Sequence, residues 1–330
     1  LELLRSLEDP EFRSETISCL FDQSQGPEGL EAAVDRITEE AADAARSGKT
    51  LLVLSDRGVN EKKMAVPMLL AVGAVHHHLI REGLRMRTSL ILETGEPNEI
   101  HHFALLLGYG AEAINPYLAF EIVESFLSSG EIKGFELEKA FKNYKKAVEQ
   151  GILKIMSKMG ISTVSSYRGA QIFEAIGLSR PLVERCFTGT PSRVGGIDFQ
   201  HLAQDLFAWH EQAFGPNRRS VLEQGGFYRY RQDGEYHAAN PEVVKRLQRA
   251  ARSGDPNAYR EYAEFVNTRP PTCLRDLLEF KSDRTSLPVE EVESMEEIRK
   301  RFCTPGISHG ALSRETHEAL PIAMNRIAAK

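Results

Sequence analysis

Apolar positions in the first third of the chain alternate between a helical and an extended period. Leu30, Ala33, Ile37, Ala41 and Ala44 recur at three- and four-residue steps, so the spacing predicts an amphipathic helix over about 28–48, ended by Gly48. Leu51-Leu52-Val53-Leu54 follows as an unbroken apolar run closing in Ser55-Asp56-Arg57-Gly58. An unbroken run of that length is how a strand buried on both faces of a parallel sheet reads. The same order repeats: a helix over about 67–83, a strand at 87–93, a helix near 98–107 and a short apolar stretch at Ala113-Ile114. Strand–helix alternation predicts an α/β layer.

Farther on, a polar, Lys-rich helix is predicted over about 135–149, and Gly151-Ile152-Leu153-Lys154-Ile155-Met156 is predicted to hold a strand at 152–157. A helix over 167–176 is expected to stop at Gly177. From about 188 to 300 turn-formers are dense, and a stretch that long between two strands exceeds ordinary loop length, so it reads as an insertion with its own helices near 241–252 and 257–266. A last strand at 301–304 and a Gly-rich loop lead to a helix from about Ser313, kinked where Pro321 removes a backbone donor. The parallel strands are thus predicted at about 50–55, 87–93, 152–157 and 301–304.

Length and charge narrow the classes. The 330 residues suit two domains, and 42% hydrophobic with 27% charged residues can bury real cores. A formal net charge of −6 argues against nucleic acid or an anionic membrane as partner. No apolar run reaches the ~20 residues of a membrane span. Cys19, Cys186, Cys273 and Cys303 are scattered without metal-site spacing, which fits free thiols in a reducing cytosol. The chain has no initiator Met and stops inside a helical stretch, so it is expected to be a piece of a longer polypeptide.

Candidate chemistry is sparse. Adjacent rings of His76-His77-His78 diverge by about 100° on a helix, so no metal is expected there or at His101-His102; the rings are expected to hydrogen-bond near strand ends, with Asp56, Glu93 or Glu96 as partners. Thr188-Gly189-Thr190-Pro191-Ser192-Arg193-Val194-Gly195-Gly196 has the makings of an anion cradle but lacks a P-loop ending. Gly108-Tyr109-Gly110 reads as a tight turn or a close approach to a ligand. Met156-Ser157-Lys158-Met159-Gly160 is expected at the carboxyl end of its strand, where α/β sheets and barrels bind ligands. Gly306-Ile307-Ser308-His309-Gly310 precedes a helix start with free amides. No nucleophile constellation is evident, so the catalytic residues stay unassigned.

Taken together the segments resemble glutamate synthase over essentially the whole chain. Leu54-Ser55-Asp56-Arg57, Ala74-Val75-His76-His77-His78 through Arg85, Glu99-Ile100-His101-His102 and Gly108-Tyr109-Gly110-Ala111 are similar to its central domain. Lys154 to Ser162, Ser166-Tyr167-Arg168-Gly169-Ala170-Gln171-Ile172-Phe173, Phe187 to Ser192, Tyr236-His237, Arg269-Pro270-Pro271-Thr272 and Ala323-Met324-Asn325-Arg326 are similar to the opening of its FMN domain. The resemblance implies a central α/β domain over 1–130, a connecting helix over 131–150, and the first βα units of an FMN-binding (β/α)8 barrel over 151–330, with the insertion at 188–300. It implies FMN contacts from Met156, Ser157, Lys158, Met159 and Gly160 and from Gly306, Ile307, Ser308 and Gly310.

The implied activity is reductive transfer of glutamine-derived ammonia to 2-oxoglutarate, through FMN-mediated reduction of 2-iminoglutarate. The resemblance also implies that a glutaminase domain and the remaining barrel belong to the same polypeptide. Electrons come from ferredoxin or an NADPH-oxidising small subunit through a 3Fe-4S cluster whose ligands lie outside this chain. The setting is cytoplasmic, or plastidic for a photosynthetic eukaryote. Ile307 stands where the family usually has Met, and His309 replaces a bulky apolar residue. Two other readings are a related FMN-barrel oxidoreductase with another amino donor, and a non-catalytic scaffold that braces neighbouring domains.

Overall fold

Four short parallel strands organise the first part of the molecule. The computed structural model describes residues 1–6, 9, 11–216, 218, 225–281 and 283–330, in two units, Leu1–Leu222 and Glu223–Lys330. In the first unit α1 (Glu2–Arg5) leads to β1 (Ser14–Ser18) and β2 (Leu20–Asp22). Then come α2 (Glu28–Arg46), β3 (Leu51–Ser55), β4 (Lys63–Ala65), α3 (Met68–Arg81), β5 (Ser89–Glu93), α4 (Ile100–Gly108), β6 (Ala113–Asn115) and α5 (Tyr117–Ser128). The sheet order is β1-β3-β5-β6, all parallel, while β2 pairs antiparallel with β4 beside it.

Register explains the core. Ile17 pairs with Leu54 and Leu54 with Leu92, so these side chains and Leu52 and Leu90 share one face. They pack with Leu30, Val34 and Ile37 of α2 and Met68, Val75 and Leu79 of α3. Each fully buried leucine contributes about 2 kcal/mol, an upper figure against an extended unfolded chain. The predicted α2, α3, β3, β5 and α4 all form within a few residues of their expected bounds.

The connecting region differs from expectation. The helix predicted at 135–149 and the strand predicted at 152–157 are one 23-residue helix, α6 (Leu137–Met159). Ile152, Ile155 and Met156 fall three and four residues apart and pack on Ala104 and Leu107 of α4. Gly151 does not break the helix; a Cβ there would lie 2.2 Å from Ile100 Cδ1, so the glycine permits the close α4–α6 approach. After α7 (Val164–Tyr167) the helix expected to 176 fails, because Gly169 and Gln171 adopt φ of 67° and 53°. Residues from there form β7 (Ala175–Leu178), α8 (Arg180–Cys186), β8 (Ser192–Ile197) and α9 (Phe199–Phe214). β7 and β8 are parallel with α8 between them. These are two consecutive βα units at 175–214, reaching into the stretch from about 188 expected to be an irregular insertion.

In the second unit α10 (Pro241–Ser253) and α11 (Pro256–Asn267) begin with Pro behind capping Asn240 and Asp255. Arg249 pairs with Glu261 at 3.0 Å, and Arg246 lies 4.6 Å over the Phe265 ring. α12 (Met295–Arg299) and α13 (Arg314–Arg326) follow, the latter enclosing Pro321. The strand predicted at 301–304 is not formed; instead Lys330 N–H donates to Phe302 C=O and Thr304 N–H to Lys330 C=O, both at 2.9 Å.

Candidate functional site

Polar side chains converge where the parallel strands end. Ser55 and Glu93 are register partners, so their side chains meet, with Ser55 Oγ donating to Glu93 Oε2 at 2.6 Å. Glu93 is buried and also receives Arg5 Nη2 at 2.7 Å and Arg57 Nε at 3.1 Å. Burial pushes its carboxyl upward, but hydrogen bonds from Arg5, Ser55 and Arg57 prevail and hold it below the ordinary value. Asp56, one residue on, accepts from Thr94 Oγ1 and from Gly95 N–H at 3.1 Å. Burial raises its pKa against the bonds from Thr94, Tyr117 and Gly95.

Glu96 accepts from Met68 N–H at 2.9 Å and so caps α3 with negative charge at the positive end of the helix. Packed surroundings, then the neighbouring Asp56, push its pKa up to about 7 against the bond from Met68 N–H. Arg57 lies 4.0 Å over the Tyr117 ring and reaches Glu121 at 3.1 Å. The cluster is a closed network in which each carboxylate has named donors. It clamps α1, β3, β5, α3 and α5 together and offers no free nucleophile.

A second region holds cavities. A chamber of about 610 Å³ is lined by Leu105, Tyr109, Lys158, Met159 and Phe173, with His101 among the polar groups. A smaller one of about 280 Å³ shares Tyr109 and Phe173 and reaches His76, His77 and Thr190. Tyr109 stacks on Phe173 at 5.6 Å and its hydroxyl meets Thr190 Oγ1 at 2.7 Å. The histidines do not use Asp56, Glu93 or Glu96 as expected. His76 Nδ1 accepts from Arg85 Nε at 2.9 Å, His78 Nε2 lies 3.7 Å from Glu39, and His102 Nδ1 accepts from Asn98 N–H. His76 and His78 lie in the second half of α3, and His102 lies in the first turn of α4. Burial, then Arg85, push His76 down to about 3; burial, then Arg81, push His77 down to about 4. Among the described residues no group of three or more His, Cys, Asp or Glu could hold a metal ion, and no helix is long and apolar enough to cross a membrane.

Met156, Ser157, Lys158, Met159 and Gly160 therefore sit in the last turn and cap of α6, not after a strand. Met156 faces the core, Lys158 and Met159 line the larger chamber, and Gly160 closes the helix at φ 71° with Ile161 N–H bonded to Met156 C=O. Gly306, Ile307, Ser308 and Gly310 lie in a loop of the second unit, where Ser308 Oγ accepts from Gly310 N–H at 3.1 Å. An anionic flavin asks for backbone donors and positive charge. The end of α6 presents carbonyls and the negative end of the helix dipole, with Lys158 its one cation, so that segment does not fit. The Gly306–Gly310 loop, open around Gly306 and ahead of the α13 start, is compatible with one. Half a site carries no chemical step. The expected cradle at 188–196 is likewise divided, since Ser192 to Gly196 are strand β8.

Comparison with known proteins bears on the whole chain. The family model described as glutamate synthase central domain matches residues 1–179, and that described as conserved region in glutamate synthase matches 237–330. The chloroplastic ferredoxin-dependent glutamate synthase of Spinacia oleracea is 46% identical over 341 residues, covering 100% of this chain and 21% of the relative. The glutamate synthase [NADPH] large chain of Bacillus subtilis is 45% identical over 327 residues, covering 99% and 21%. The glutamate synthase [NADH] of Schizosaccharomyces pombe is 43% identical over 329 residues, covering 97% and 16%. The chain spans about a fifth of the length of the relatives it matches. With a central-domain match over more than half its length, the chain belongs to the glutamate synthase family.

Proposed function

We propose that this chain is the segment of a glutamate synthase that joins the central domain to the synthase barrel, and that the parent transfers glutamine-derived ammonia reductively to 2-oxoglutarate to give glutamate. The observation that carries the reading is the order of the two family matches, central domain first and synthase region second, along one continuous chain. The parent is an oxidoreductase drawing electrons from ferredoxin or a reduced nicotinamide nucleotide, as the names of its relatives indicate. It works in the cytoplasm, or in a plastid if it comes from a photosynthetic eukaryote.

FMN would supply the hydride. Of this chain's residues, the Gly306–Gly310 loop is the segment suited to approach it, through small side chains and backbone amides near the α13 start. Lys158 serves the chamber beside α4 and α6. The clamp of Asp56, Glu93 and Glu96 braces the carboxyl edge of the sheet and so fixes the base on which the βα units stand; this favours a bracing role for residues 1–130 inside the enzyme.

The test is a segment exchange. This chain replaces the aligned stretch of the Bacillus subtilis large chain, and glutamine- and 2-oxoglutarate-dependent NADPH oxidation is measured with its partner subunit. Retained turnover within about tenfold is expected. A folded chimera, with flavin bound, that fails to oxidise NADPH would overturn the reading.

A further inference from the structure

The Gly306–Gly310 loop is fastened on both sides. On the entering side the Lys330 backbone bonds to Phe302 and Thr304, both at 2.9 Å. On the leaving side Ala311 N–H donates to Ser308 C=O at 3.2 Å, and Ser313 Oγ caps α13 by accepting from Thr316 N–H at 3.4 Å. Between these ties a side chain crosses from the loop to the helix. The His309 ring lies on the His317 ring of α13, with 5.3 Å between centres and 25° between planes. His317 is half-buried one turn into the helix, its N–H bonded to Ser313 C=O at 3.0 Å, so it is the fixed partner. An imidazole nitrogen binds a metal in the plane of its ring, and two nearly parallel planes do not meet at one ion. Among the described residues no third ligand joins the pair either, so the stack is a packing contact.

We infer that His309 is a positioning residue for FMN: stacked on His317, it holds the Gly306–Gly310 backbone in the form that receives the flavin. The inference rests on the reading of this loop given above and names the side chain that shapes it. A loop that samples several forms binds through one of them, and its apparent affinity falls by the fraction of time spent there. Aromatic stacking of this kind is worth about a two- to tenfold bias toward one form. The loop's glycines cannot supply that bias, since they add backbone freedom and no contact. His309 thus acts through the loop backbone and its partner ring, not by touching the cofactor.

Amide hydrogen exchange in the 330-residue chain tests the stack without flavin. Ala311 N–H should exchange about two- to tenfold faster in His309→Ala and in His317→Ala, with the far-ultraviolet helix signal unchanged. His309→Phe restores a ring at the position and should return the rate to that of the unsubstituted chain. FMN affinity is then measured by flavin fluorescence in the full-length chimera described above. Each alanine variant should weaken binding by the same two- to tenfold factor, and the double variant by no more than either alone. Unchanged exchange at Ala311, no rescue by His309→Phe, or a loss of affinity confined to His309→Ala would each overturn the inference. A chimera that binds no FMN with His309 intact would overturn the reading of the loop and this inference with it. One that binds FMN equally well after His309→Ala sinks this inference alone.

Discussion

Replacing Glu93 separates a buried ion network from a surface one. Its carboxylate is 3% exposed and accepts from Ser55, Arg5 and Arg57. In Glu93→Ala the buried Ser55 hydroxyl loses its acceptor, costing about 1–3 kcal/mol. Arg5 and Arg57 keep 32% and 48% of their side-chain surface, so both re-solvate and their bonds count for no more than about 1 kcal/mol each. The lost methylenes add about 1 kcal/mol. The sum is about 2–6 kcal/mol for Glu93→Ala, against less than about 1 kcal/mol for Arg57→Ala. Trp209 is the single tryptophan and lies on α9 of the first unit, so its emission during urea unfolding follows that unit. With a slope near 2–3 kcal/mol per molar for this size, the Glu93→Ala midpoint should fall by roughly 0.7–3 M. Equal losses from Glu93→Ala and Arg57→Ala, or a loss below about 1 kcal/mol from Glu93→Ala, would show that the network is not anchored on the buried carboxylate.

Gly73→Ala should cost about 1–3 kcal/mol in the same assay, because the new Cβ would sit 2.3 Å from the Cys186 carbonyl where α3 meets α8; an unchanged midpoint would mean the helices part freely. Folding keeps His76 and His77 neutral while the unfolded chain takes up protons below about 6.5, so their contribution is intact above pH 6.5 and is lost as pH falls toward 4; a His76→Phe/His77→Phe variant with the same acid slope in urea titrations at pH 4–7 would contradict this. Pro321→Ala gives residue 321 an N–H for His317 C=O and should stabilise the second unit by about 1–3 kcal/mol with a gain in far-ultraviolet helix signal; no gain would mean the kink is held by packing. The 330-residue chain should bind FMN far more weakly than a chain extended through the barrel, since only one compatible loop is present; equal micromolar affinity in a flavin fluorescence titration would refute that.

Periodicity sufficed where an element's pattern was set by one neighbour. β3 and β5 are apolar through their middle, with Leu52–Leu54 and Leu90–Leu92 buried, and their bounds could be read from Leu51–Ser55 and Ser89–Glu93. β1 escaped notice because Ser14, Glu15, Thr16 and Ser18 make an edge strand with one buried side chain, Ile17. The misreading at 152–157 came from a short apolar run whose 3.6-residue spacing (Ile152, Ile155, Met156) is visible only when the Lys-rich stretch before it is joined to it. α9 lay inside the presumed irregular segment, although Asp198 as cap and the Phe199, Leu202, Ala203, Leu206 spacing announce it. At the site, Ser55, Asp56 and Glu93 could be read as residues ending strands. Arg5 could not, since nothing local ties position 5 to position 93.

The two backbone bonds of Lys330 have a consequence for the second unit. A residue that donates to position 302 and accepts from position 304 stands in the hydrogen-bond pattern of a parallel ladder. The backbone at Lys330 therefore runs in the same direction as 302–304, with α13 as the crossover between them. The two bonds therefore tie the exit of α13 to the stretch that leads into the 306–310 loop.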